Sequence, residues 1–417
     1  MNWDVACLTG PENEDWRVPV SELQNRQRLV ADSLLRNNIE SAWIDDPVEL
    51  YWLTGGRQNS AIIIGARGSD VKTSHWVRKS LDRAIFEAGG DDAPHTIEAH
   101  PRMNILEGSL RSLGCTKKPA LLSSKIPHDR WEFLNSKFGN LLGEIENCSN
   151  LIYKLRETKS EWEISMHKAS GDINQLMFDS IRDNCGEGKT EIELAAIADE
   201  VSRANGFGGR IRMRKWPMDC DRVVIAAGNS AAVPSYFDSA IGGLGASPIS
   251  SLGAGFARIK ANEPVLVDIV HIHRGYVSDC TRMFSKGRLA EHWIERLEDM
   301  SEISELVVDK LGKGEMCSSA WESGKDMADE MGHLENLMGM KPNQAQFLGH
   351  SVGLELDETP VVARGFDCEL NIRGTMAIEP KVIHKDGAIG IEDTWTRTND
   401  GMECLTMGNK FPKVTEW

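Results

Sequence analysis

Positive charge is scarce in this chain. Lys and Arg number 47 against 63 Asp and Glu, a formal net charge of -16 over 417 residues. Nucleic-acid binding needs clustered cations to meet phosphates, and docking on anionic lipid needs the same. Neither nucleic acid nor membrane is therefore an expected partner. Paired cysteine motifs are missing too. Nine cysteines, an odd number, are scattered from Cys7 to Cys404 with no C-x-x-C spacing. That excludes a zinc ribbon or thioredoxin-type motif and points to a reducing compartment. No apolar run approaches the ~18 residues of a membrane span. The opening stretch, MNWDVACLTGPENEDW, has neither the basic nor the apolar region of a secretory signal, so the cytoplasm is expected. Familiar nucleotide and hydrolase motifs are absent as well. G-x-S-x-G, H-E-x-x-H and a complete G-x-G-x-x-G do not occur, and the GKT at 188–190 has Asp183 where a phosphate loop needs glycine.

What is present is a globular composition, 41% hydrophobic and 26% charged. The length fits two to three domains of ~150 residues, and the texture changes near Leu155, so the expected domains are 1–155 and 156–417. In the first, a helix is expected over 21–38, with Ser21 and Gln24 at capping-box spacing and Leu23, Val30 and Leu34 on one face. Short apolar runs at 41–44, 51–53 and 61–64, broken by Asp45, Asp46 and Pro47 and by Gly55 and Gly56, read as buried strands of an α/β layer. In the second, a long amphipathic helix follows Ser160 and carries Ile164, Ile173, Leu176 and Met177. Thr190 and Glu193 form another capping box. The strand run VLVDIV (265–270) follows, then a charged helical stretch over about 289–332 and a return to strands at the end. Segregated helices and strands give an α+β class.

The chemistry is expected from acidic residues inside apolar, strand-like sequence. Asp268 lies in VLVDIV, and Asp279 follows a turn at Arg274 and Gly275, so a hairpin brings the two together. Glu379 lies in AIEP (377–380) and Glu392 in GIEDT (390–394). A carboxylate in a buried strand is costly unless it is paired or bound to metal. Converging carboxylates repel, and a cation resolves the repulsion. With the imidazole of His350, the set suits one or two divalent ions such as Mn, Co, Fe or Zn.

In their order and context, these stretches resemble the pita-bread metallopeptidase family, which includes prolidase, aminopeptidase P, methionine aminopeptidase and creatinase. LGHSVGLELDETP (348–360) belongs to the same pattern, as do Arg156, Lys159, Glu163 and Ile164 and then Gly188, Thr190, Glu191 and Glu193 upstream. YWLTGG (51–56) resembles the smaller N-terminal α/β domain of creatinase and prolidase. The resemblance implies a pita-bread catalytic domain, a homodimer and two divalent ions. It implies that Asp268 binds one ion, His350 and Glu379 the other, and Asp279 and Glu392 bridge both. It also implies that Glu379 shuttles a proton and that Thr281 and Arg282 support the ligands.

The chain departs from that pattern near the substrate. Ser235, in AAVPSY (231–236), and Asp357 stand where peptidases of the family carry histidine. An ionised Asp cannot donate to an oxyanion as an imidazole can. Glu379, Asp357 and Ser235 are accordingly the candidate catalytic residues. Arg210, Arg212 and Arg214 alternate in RIRMR (210–214), and on a strand they would share a face and could hold a substrate carboxylate. A solvated edge strand is the bland alternative for them. His271 and His273 have the opposite parity to Asp268, which makes them poor ligand candidates. The expected function is a hydrolase of short Xaa-Pro peptides. The alternatives are a non-peptidase enzyme cleaving a C–N or C–S bond of a small zwitterion, and a catalytically inactive module that binds peptide or protein.

Overall fold

The structure, a computed structural model, describes residues 9–185, 188–208, 211–215 and 218–417. The chain forms two compact units, Met1–Arg156 and Glu157–Trp417.

In the first unit five strands form one mixed sheet: β1 (Ser41–Ile44), β2 (Ser60–Gly65), β3 (Ser74–Val77), β4 (Thr96–Ala99) and β5 (Ala120–Leu121), in the order β4-β3-β2-β1-β5. β1 and β2 are buried at every position, which explains their unbroken apolar sequence. Trp43, Trp76, Leu134 and Phe138 fill the core on one side. Residues 51–53 are not a strand. They lie in a helix, Pro47–Thr54, whose cap Asp46 accepts a hydrogen bond from Val48 N at 2.8 Å. Pro47 suits the first helical turn, and Gly55 closes the helix at φ 74°. The residues that read as strand breakers are thus the two ends of a helix. The helix Val20–Arg36 buries Leu23, Val30 and Leu34 as the periodicity predicts, but no side chain caps its start, so the Ser21–Gln24 box does not form.

In the second unit two capping boxes are made, Ser160 with Glu163, which the sequence reading does not name, and Thr190 with Glu193, which it does. They open the helices Glu161–Asn184 and Glu191–Ala204. Ile173 and Met177 turn inward, whereas Leu176 faces solvent. The strands β6 (Val223–Ala227), β7 (Val265–His273), β8 (Tyr276–Ser285) and, at the chain end, β16 (Val414–Glu416) form a sheet in the order β16-β8-β7-β6. A second sheet runs β10-β9-β11-β14-β15, from β9 (Phe347–Ser351), β10 (Glu358–Ala363), β11 (Thr375–Ile378), β14 (Asp393–Thr398) and β15 (Gly401–Cys404). β12 (Lys381–His384) and β13 (Gly387–Gly390) pair as a hairpin. The stretch around 289–332 is two helices, Glu291–Gly312 and Cys317–Glu330.

Strand alternation in β7 divides the core. Val265, Val267 and Ile269 pack with Met177, Phe178 and Leu194 of the two capped helices, whereas Leu266 joins a larger core with Trp293, Leu348 and Ile378. Polar links fix the long helix to the hairpin: Ser170 Oγ donates to His271 O at 3.0 Å, and Asn174 Nδ2 to Ile269 O at 3.2 Å. The helix face of β7 is thereby closed, and Asp268 points from the opposite face.

Candidate metal centre

β7 and β8 are joined by a two-residue turn in which Arg274 (φ 49°) and Gly275 (φ 97°) both have positive φ, as the right-handed twist of a tight hairpin requires. Asp268 lies opposite Thr281 and Val270 opposite Asp279. The two aspartates are therefore diagonal neighbours on one face. β9 carries His350, paired with Ala377 of β11. A Cβ at Gly349 would lie 2.4 Å from Ala377 O, so glycine there permits the close pairing that seats the histidine. Glu379 follows β11 directly and is tied by its N–H to Leu348 O at 2.9 Å. Glu392 is held beside Thr281 by paired backbone hydrogen bonds of 3.2 and 3.3 Å. All five side chains line one small cavity of about 40 Å³, bordered by the apolar Phe237, Ile241 and Phe347.

Thr281 and Arg282 set the carboxylates. Thr281 Oγ1 donates to Glu392 Oε2 at 2.8 Å. Arg282, fully buried, donates to Glu392 O at 2.8 Å and to both oxygens of Asp393 at 3.0 and 2.9 Å. His350 Nε2 lies 3.3 Å from Glu379 Oε1 and 3.8 Å from Asp279 Oδ2.

A sixth group, missed in the sequence, completes the site. Lys381 is fully buried, and its Nζ donates to Glu379 Oε2 at 2.6 Å, Glu392 Oε2 at 2.8 Å and Asp268 Oδ2 at 3.3 Å. Its position carried the signal: two residues after Glu379, it has the parity of that ligand.

The protein alone does not balance the charge. Burial, then repulsion from neighbouring carboxylates, raises Asp279 well above the ordinary aspartate range. Burial outweighs the Lys381 attraction at Asp268, which is also raised, and at Glu392, which is raised to about 8. At Glu379 the balance tips the other way: Lys381 and His350 overcome burial and hold it at about 2. His350 is raised to about 9, because Glu379 and Asp357 outweigh the cost of its burial. Among the described residues, Asp279 Oδ1 and Glu392 Oε1 are buried with no hydrogen-bond partner, and donor atoms of Asp279, His350 and Glu392 all lie within 4.8 Å of one another. Orphaned carboxylate oxygens beside an imidazole are a donor set that fits a divalent ion.

The remaining candidates separate. Asp357 lines the cavity, at φ 57°, with Oδ1 3.6 Å from His350 Nδ1. Ser235 is not among the lining residues; its hydroxyl accepts from Phe237 N at 3.3 Å. Arg210 lies outside the described residues. The strand expected over 210–214 is not found at 211–214, where Met213 makes only an isolated bridge to Leu356. Arg212 and Arg214 do not line the cavity. Arg214 Nε instead pairs with buried Glu355 at 2.6 Å, and its Nη2 lies 3.4 Å from buried Glu358. Glu358 in turn binds Lys159 Nζ at 3.1 Å and accepts from Leu354 and Glu355 N–H. This ion network braces the loop that presents Asp357, so Arg214 is tied up in structure and is not free to clamp substrate. His271 turns to the helix face, where Ser202 Oγ lies 2.8 Å from its Nδ1.

An α+β unit with acidic strands and a histidine converging on one buried donor set has the architecture of a metallohydrolase. The profile of metallopeptidase family M24 matches residues 165–399, more than half of the chain, and the chain belongs to that family. It is similar to the Xaa-Pro dipeptidase of Pyrococcus horikoshii, 24% identical over 389 residues, which span 92% of this chain and 97% of that one. The Xaa-Pro dipeptidase of Pyrococcus furiosus is 25% identical over 385 residues, spanning 92% and 98%. Among solved structures, the Xaa-Pro dipeptidase from Bacillus anthracis superposes with a TM-score of 0.77 at 20% identity, over 96% of this chain and 100% of that one. These likenesses establish the pita-bread fold.

Proposed function

We propose that this protein is a metal-dependent peptidase that hydrolyses short Xaa-Pro peptides. The observation that carries the reading is the convergence of Asp268, Asp279, His350, Glu379 and Glu392 on one cavity, in a chain of family M24 whose relatives over nearly its whole length include Xaa-Pro dipeptidases. Asp279, His350 and Glu392 would hold a divalent ion, with manganese, cobalt, iron and zinc all compatible. When bound, such an ion polarises a carbonyl and lowers the pKa of water. Of the two ions that the family resemblance implies, the reading uses the one on this side of the site.

The chain's own residues do the rest. Glu379 Oε1 faces the imidazole side of the cavity and is the group to take the proton of the attacking water and return it to the leaving nitrogen. Thr281 and Arg282 hold Glu392 and the strand that follows it in place. Phe237 and Phe347 exclude water and offer apolar surface to a proline ring. Asp357 borders the same space and marks where specificity is set.

The presence of Asp357 supports a second reading, in which the same site cleaves a C–N or C–S bond in a small zwitterion whose cationic end meets that carboxylate. An inactive binding module is disfavoured by the buried, unpartnered oxygens of Asp279 and Glu392. A cytoplasmic homodimer belongs to the proposal as well. The free thiols at every described cysteine support the compartment, and the family resemblance supports the dimer.

A panel of dipeptides with and without proline in the second position, assayed beside small zwitterionic metabolites, tests the reading. Cleavage confined to Xaa-Pro substrates is expected. Turnover of a zwitterion with no dipeptide cleaved would transfer the site to the second reading.

A further inference from the structure

We propose that the Lys381 ammonium is the resident cation on the Asp268 side of the centre, so that the chain binds one divalent ion rather than two. The inference rests on the metal-dependent reading of this site and narrows it.

An ammonium has three N–H donors, and Lys381 spends them on three carboxylates: Glu379 Oε2 at 2.6 Å, Glu392 Oε2 at 2.8 Å and Asp268 Oδ2 at 3.3 Å. The ammonium already engages one oxygen each of Asp268 and Glu392, the two carboxylates on which a metal on that side would draw. The lysine is also built into the fold. It is the first residue of β12, paired with Gly390 of β13, and is fully buried. A Cβ at Gly390 would lie 2.4 Å from Lys381 Cγ. Glycine at that position leaves the lane along which the stem reaches the carboxylates.

The opposite side of the site is left free. Asp279 Oδ1 and Glu392 Oε1 have no hydrogen-bond partner among the described residues, and Asp279, His350 and Glu392 bring their donor atoms within 4.8 Å of one another. Charge agrees with this division. Five carboxylates, with Asp357 counted, one ammonium and one divalent ion leave a formal charge of minus two. A second divalent ion on the Asp268 side would sit against the ammonium itself. Like charges in a poorly solvated site repel strongly.

The test is a count of bound ions. The full chain is stripped with chelator, loaded with Mn²⁺, desalted, and measured for manganese per chain and by electron paramagnetic resonance. One ion per chain with the six-line spectrum of isolated Mn²⁺ is expected for the natural protein and for Lys381→Arg, which keeps the charge. Two ions with an exchange-coupled spectrum are expected for Lys381→Ala, a doubling of the count. Two coupled ions in the natural protein would overturn the assignment, as would a single ion in folded Lys381→Ala. Should the alanine variant fail to fold, the natural protein's count decides alone. Dipeptide cleavage measured on the same samples keeps the two proposals apart. Cleavage with two ions removes this inference and leaves the peptidase. One ion without cleavage keeps this inference and removes the peptidase. No bound ion overturns both.

Discussion

At the scale of single residues, the site depends on groups that hold the ligands as much as on the ligands. Glu392 keeps one oxygen on Thr281 and Lys381 and leaves the other unpartnered. Removing the Thr281 hydroxyl leaves that oxygen held by Lys381 alone. Thr281→Val is expected to weaken Mn²⁺ affinity by about 10- to 100-fold, and Asp279→Ala to abolish binding and activity together. Titration calorimetry checks both, and an unchanged affinity in either variant would contradict the assignment. The four carboxylates stand out in the sequence because a carboxylate inside an apolar strand is costly without a partner, and the resemblance to the pita-bread family, in order and context, joins them with His350 as one set. Lys381 was harder to see. A lysine is ordinarily read as solvent-facing, and its burial depends on Gly390, on the nearby Glu379 and Glu392, and on Asp268, which arrives from 113 residues away.

At the scale of elements, the Thr190–Glu193 box announced its helix, and the alternation of β7 its strand. The hairpin of β7 and β8 follows from the Arg274 and Gly275 turn, and the alternation along β7 correctly separates Asp268 from His271. Residues 51–53 misled because an apolar triplet fits a buried strand and a buried helix equally well. Asp46 and Pro47 decide in favour of the helix by capping it. Asp46→Ala is therefore expected to cost ~0.5–2 kcal/mol of stability, read by urea unfolding. No loss would mean that the cap is not what sets this helix. RIRMR misled for another reason. Alternation licenses a strand only where a partner strand is available, and from Ile211 to Arg214 the chain makes one isolated bridge while Arg214 is held by Glu355.

At the scale of the whole molecule, buried histidines give stability a pH dependence. Burial lowers His75 and His271 to about 3 and His95 and His167 to about 4. The folded values lie below the unfolded value of ~6.5, so the unfolded chain binds more protons in acid. The stability that depends on these four histidines is full above about pH 6.5 and falls as the pH drops toward the folded values. At pH 5 each such histidine costs about 2 kcal/mol. The chelated His271→Gln variant is expected to lose about 2 kcal/mol less than the natural chain between pH 7 and pH 5. Equal losses in urea unfolding would show that His271 does not resist protonation.

The acidic surplus of the chain also divides at this scale. Asp268, Asp279, Glu379 and Glu392 form a buried centre whose charge is met by Lys381 and a divalent ion, so the formal total of -16 overstates the charge of the working protein. The most direct measurement of the central claim is hydrolysis of one Xaa-Pro dipeptide by the purified chain, before chelation, after it, and after Mn²⁺ is returned. The account predicts cleavage that disappears with the metal and comes back with it. Persistent cleavage in the metal-free chain, or no cleavage by the fully loaded one, would contradict it.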